Sequence, residues 1–154
     1  MSWEVITLSV VSEIMSDRNV VTLDVESGPS ILDATKLMLK HRIGSVVIVN
    51  KNNRPVGIVT ERDVLRKVST TRRMLGAIRV KEIMSSPVVT IKPYDSIETA
   101  SSAMAGKKIK RLVVVEQDGS MAGVISLTDI TKKLAKIFTN EKNRSGNLKA
   151  LLEL

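Results

Sequence analysis

The sequence predicts an α+β fold built from two pseudo-symmetric β-α-β-β-α repeats packed as a tandem pair. Three observations predict it. An eight-residue stretch occurs twice, as Gly57-Ile-Val-Thr60-Glu-Arg-Asp63-Val64 and as Gly123-Val-Ile-Ser126-Leu-Thr-Asp129-Ile130. A constant offset of 66 residues carries Ser30 onto Ser96 and Asp63 onto Asp129 without a gap, which marks an internal duplication. In each copy a stretch of helical spacing precedes two β-branched runs joined by a polar turn.

Residues 1–10 form an N-terminal arm with a short alternating piece, Trp3-Glu-Val5-Ile-Thr-Leu8. The first repeat, 11–69, opens on Val11-Ser-Glu-Ile-Met15, and the second, 80–139, opens on Val80-Lys-Glu-Ile-Met84. Val20-Val21-Thr22 and Val88-Val89-Thr90 follow in matching places. Helices are predicted near 30–41 and 96–107. Ser30 and Ser96, or the preceding Asp95, serve as caps, and Ile31, Ala34 and Met38 are matched by Ile97, Ala100 and Met104 at helical spacing. Strand pairs follow: Val46–Val49 with Val56–Val59, and Leu112–Val115 with Ala122–Ile125. Asp118-Gly119 signals a tight hairpin and Asn52-Asn53 a weaker one. Further helices are predicted near 62–69 and 127–139. Residues 70–79 are the linker, and 140–154 are a tail whose Leu148, Leu151 and Leu152 are spaced to dock on the body or a partner.

Composition excludes several classes of function. The chain has 154 residues and no Cys, so disulfide scaffolds, zinc ribbons and thiol catalysis are out. His41 is the only His, which leaves little for a histidine metal cluster or a Ser-His-Asp arrangement. Trp3, Tyr94 and Phe138 are too few to stack bases, which weakens a single-strand nucleic-acid reading. The net charge of +8 calls for anionic partners. No apolar run is long enough to span a membrane and no signal peptide is visible, so a cytoplasmic location is expected.

The repeated stretch carries the chemistry. A buried strand runs into a helix whose N-cap is Thr60 or Ser126 and whose third residue is Asp63 or Asp129. Free backbone N–H groups at such a junction suit phosphate, and a carboxylate suits vicinal ribose hydroxyls. A plain capping box is the competing explanation for either copy alone.

With the duplication and the twin Gly-h-h-[Ser/Thr]-x-x-Asp stretches (h, apolar) in hand, the sequence resembles the cystathionine-β-synthase (CBS) domain family over residues 11–139. Lys110-Arg-Leu-Val-Val-Val115 before Gly123–Asp129 is a close match to the family pattern. The resemblance implies a stand-alone tandem pair, a Bateman module, whose two clefts bind adenosine-containing ligands: AMP or ATP foremost, with ADP, S-adenosylmethionine or NAD as others. One cleft is expected to join Ile58, Thr60 and Asp63 to Val88, Val89, Thr90, Ile109, Lys110 and Arg111. The other is expected to join Val124, Ser126 and Asp129 to Val20, Val21, Thr22, Ile43, Gly44 and Ser45. Because Gly44-Ser45 stands where the second repeat has Lys110-Arg111, the first cleft is expected to hold the phosphate-binding charge and the second to lack it.

No general acid/base pair is visible, and the duplication places Asp63 and Asp129 in separate clefts, so an enzyme is not expected. The expected function is a regulatory, energy-sensing module that forms a homodimer, binds an adenosine nucleotide and signals to a regulated protein. A basic nucleic-acid-binding module and an oligomerisation module with vestigial clefts are the alternatives.

Overall fold

The polypeptide forms two three-stranded sheets of the same design. The structure, a computed structural model, describes residues 9–16, 21–137 and 139. The N-terminal piece 1–8, Val20, Phe138 and the tail 140–154 with its three leucines lie outside the described residues.

In the first half, strand β1 (Thr22–Asp24) leads through helix α1 (Ile31–His41) to β2 (Ser45–Val49) and β3 (Pro55–Thr60). The sheet order is β1-β2-β3, with β1 and β2 parallel and β2 and β3 antiparallel. A helical turn α2 (Glu61–Asp63) follows and continues as a π-helical segment over Val64–Val68, so the helix expected near 62–69 forms as a wound-out turn. A short helix α3 (Val80–Ile83) opens the second half. Strand β4 (Thr90–Ile91), helix α4 (Ile97–Lys107), strands β5 (Arg111–Val115) and β6 (Met121–Ser126), and helix α5 over 127–137 then repeat the pattern. The second sheet has the order β4-β5-β6 with the same parallel and antiparallel pairing.

Local chemistry accounts for these boundaries. Ser30 caps α1 by accepting from the Asp33 amide at 3.2 Å, while the Asp33 carboxylate accepts from the Ser30 amide at 2.8 Å. Each long helix ends on a left-handed residue, Arg42 or Lys108, and the next amide reaches back to Met38 O or Met104 O at 3.0 Å. The two hairpins turn on Asn53 and Gly119, both with positive φ. Asn tolerates that conformation, which is why a weak turn signal gives the same turn as a strong one.

Strand alternation divides the apolar side chains between three cores. Val46 and Ile48 point towards α1, and Leu112 and Val114 towards α4. Val47 and Val49 face the other way, against Val113 and Val115, with Ile58 and Val124 packed alongside, and this cluster joins the two sheets. The sheets therefore pack on each other through β2 and β5, with the helices outside.

The opening segments of the repeats change places. Val11, fully buried, sits in the core of the second half with Ile97, Leu112 and Ile125. Its amide donates to Asp95 O at 2.9 Å, and Ser16 bridges Val124 on β6. In the mirror arrangement Ile78, Val80 and Ile83 complete the core of the first half, and Ser85 bridges Ile58 on β3. The linker is held to this exchange by Arg73, which forks onto Glu82 at 2.6 and 3.1 Å and brings its carboxyl down to about 2. Among the described residues no helix is long and apolar enough to cross a membrane.

Candidate functional site

Both strand-to-helix junctions are built alike at the cap. Asp63 Oδ2 accepts from the Thr60 amide at 2.9 Å and the Thr60 hydroxyl at 2.7 Å. Asp129 Oδ2 accepts from the Ser126 amide at 2.8 Å and the Ser126 hydroxyl at 2.6 Å. The capping role is thus real in both copies. What differs is the other carboxylate oxygen.

At the first junction Asp63 Oδ1 faces Lys67 Nζ at 3.3 Å and accepts from the Ser85 hydroxyl at 3.4 Å. Lys67 also donates to Ile83 O at 2.6 Å, so the crossed-over segment helps to hold it there. Burial pushes the Asp63 carboxyl up, but the Thr60 bonds and Lys67 outweigh it and keep it below its ordinary value. At the second junction the equivalent lysine, Lys133, points away to Glu13 at 3.8 Å. Among the described residues Asp129 Oδ1 has no hydrogen-bond partner.

That second junction opens on a cavity of about 250 Å³. Val21, Val47 and Val124 give it apolar walls, and Ile43, Gly44 and Ser45 form one side. Ser126, Thr128 and Asp129 form the opposite side, with Ser16 beside them. Arg42 and Arg111 supply two cations. The volume is close to the lower end of small-molecule sites, about 300–1,000 Å³, and the mix of apolar walls with few polar groups is typical of them.

The expected residues fall as follows. Val21, Ile43, Gly44, Ser45, Val124, Ser126 and Asp129 come together around this cavity. Thr22, at the start of β1, is exposed and is not part of the lining, and Val20 lies outside the described residues. Of the first group, Ile58, Thr60 and Asp63 stand at the β3–α2 junction. Val88 packs into the inter-sheet cluster, Val89 and Ile109 pack on the second core, and Thr90 and Lys110 are exposed.

Arg111 corrects the expected distribution of charge. It was assigned to the first cleft, yet its guanidinium lines the second, whose lining was expected to lack a cation. The reason is geometric. Arg111 shares the inter-sheet face of β5 with Val113 and Val115, and it meets the end of β2, where Gly44 has no side chain. Ser16, Arg42, Val47 and Thr128 also line the cavity without having been foreseen. Thr128 was legible, as a hydroxyl between the Ser126 cap and Asp129. Ser16 was not, because only the exchange of opening segments brings it there.

Comparison with known proteins agrees with this architecture. The CBS domain family matches residues 11–70 and 80–136. An uncharacterized protein of Methanopyrus kandleri is 39% identical over 93 residues, which is 60% of this chain and 47% of that protein. This chain therefore spans about half the length of that relative. A CBS domain protein of Pyrobaculum aerophilum, solved in complex with AMP, superposes with a TM-score of 0.70 at 31% identity, covering 79% of this chain and 89% of that one. A protein of Burkholderia ambifaria, described as a putative signal-transduction protein with CBS domains, gives a TM-score of 0.74 at 32% identity and covers 82% and 93%. With two matched segments in register with the two halves of the fold, the chain belongs to the CBS domain family and is a tandem pair of CBS domains.

Proposed function

We propose that the chain is a regulatory, non-catalytic module that takes an adenosine nucleotide, AMP or ATP, in the cleft at the second junction. The observation that carries this reading is Asp129, whose Oδ1 has no hydrogen-bond partner among the described residues, in the lining of a cavity with valine walls and two arginines. The valines clamp a flat base, the Asp129 carboxylate and the Ser126 and Thr128 hydroxyls face a ribose, and the cations face a phosphate. The AMP complex of the Pyrobaculum relative supports the ligand class. Ligand binding favours one packing of the two halves, and a regulated protein reads that population. A thermal-shift titration checks the reading. AMP at about 100 times its Kd should add about 2.7 kcal/mol, or roughly 5–10 °C for a chain of this size. The gain should fall only shallowly with salt, because a nucleotide offers few phosphates whereas nucleic acid offers many. No shift with AMP, ATP or S-adenosylmethionine sinks the adenosine reading.

The working unit is proposed to be a homodimer joined through its outer helices. Leu65 on the π-helical segment is 71% exposed, and Leu39, Leu127 and Leu134 also face outwards from helices. Light scattering should give about twice the chain mass of 16.9 kDa at micromolar concentration. The mass of a single chain counts against it.

A further inference from the structure

We propose that Arg111, seated over Gly44, is the residue that makes this cleft select a ligand with an anionic group, and that Gly44 is what admits it. The proposal rests on the adenosine reading above. Arg111 lies two residues before Val113, on the same face of the strand as the inter-sheet valines, so its side chain leaves β5 towards the first half rather than towards its own helices. The place it reaches is the end of β2. A Cβ added to Gly44 would stand 2.5 Å from Arg111 Nη2 and 3.0 Å from Glu61 Oε2. Any side chain at 44 therefore occupies the space of the guanidinium. The Gly44 backbone has little freedom to give way, because its carbonyl accepts from the Glu61 amide at 3.2 Å. Its φ is not positive, so alanine fits the backbone there.

The guanidinium is also unspent. Among the described residues Arg111 makes no ion pair within 4.0 Å, although Asp129 lines the same cavity and Glu61 approaches the Gly44 position. A half-buried guanidinium with no ion pair among the described residues, in a concave site, presents a planar fork matched to a phosphate or carboxylate group. Arg42, also in the lining, adds a second positive charge and discourages a cationic ligand such as one carrying a sulfonium. Pseudo-symmetry makes the arrangement one-sided: position 45, the counterpart of Arg111, is a serine, and position 110, the counterpart of Gly44, is a lysine.

Calorimetry with AMP, adenosine and S-adenosylmethionine on the wild-type chain and on Gly44→Ala, Arg111→Ala and Arg111→Lys tests this. Wild type should prefer AMP over adenosine by about 10- to 150-fold, the range expected of hydrogen bonds to a charged group. Arg111→Ala should lose that preference while adenosine stays within about twofold, and Arg111→Lys should keep part of it. Gly44→Ala removes no charge, yet it should lose the preference as Arg111→Ala does. An unchanged AMP-to-adenosine ratio in Gly44→Ala overturns the seating, and equal loss of both ligands in Arg111→Ala overturns the selection. If wild type binds adenosine as tightly as AMP, the adenosine reading stands and the inference falls. If it binds none of the three, both fall. Matching circular dichroism melts exclude misfolding as the cause.

Discussion

Val11→Asp is expected to destabilise the protein by about 3–5 kcal/mol, the cost of leaving a charge buried without a partner. The site is suited to so large an effect. Val11 is fully buried among the apolar side chains of Ile97, Ala100, Leu112 and Ile125. The backbone around it is bonded to the second half on both sides, through Ser9 O to the Ile97 amide and through the Ser16–Val124 bridge. A domain of ordinary stability has about 5–15 kcal/mol in total, so the variant is close to the limit of folding. Its melting temperature should drop by roughly 6–20 °C. Native-state hydrogen exchange should show α4, β5 and β6 losing protection before β2 and β3, although Val11 belongs in sequence to the first repeat. A melting temperature within a degree or two of wild type means that the opening segment does not dock in that core.

The exchange of opening segments marks where the sequence stops being legible. The 66-residue offset exposes the duplication, the helices and the strand pairs because each depends on local periodicity and capping. Which core Val11–Met15 enters does not. Val-Ser-Glu-Ile-Met and Val-Lys-Glu-Ile-Met present the same apolar residues to either half, and the two cores are built from equivalent side chains. Hydrophobic patterning fixes what is buried and leaves the choice between equivalent partners to three-dimensional chain path. The charge of the cleft was misread for a related reason. The direction of Arg111 follows from β5 alternation, but the space it enters exists because residue 44, just before another strand and 67 positions earlier, is glycine. The π-helical turn at Val64–Val68 has no Pro or Gly to announce it. The twin Asp residues, by contrast, were legible as a pair, and only their partners tell them apart.

That difference leads to the largest expected effect on binding. Asp129→Ala should weaken the adenosine ligand by about 1.5–3 kcal/mol, whereas Asp63→Ala should change the affinity little. In Asp129 one carboxylate oxygen is committed to the Ser126 cap, and the other, without a partner among the described residues, can accept from a ribose hydroxyl. In Asp63 both oxygens are already engaged, one by Thr60 and the other by Lys67 and Ser85. A ribose at the first junction has to displace Lys67, which the Ile83 carbonyl also holds. Stability separates from binding in this comparison. Both variants lose a capping box, at about 0.5–2 kcal/mol, so both should melt earlier by similar amounts. Calorimetry should therefore give one site per chain in wild type, one site in Asp63→Ala, and a greatly weakened site in Asp129→Ala. Equal losses of affinity in the two variants mean that both junctions hold ligand and that Lys67 yields to it. Unchanged affinity in both returns the two aspartates to helix capping and moves the ligand elsewhere in the cleft.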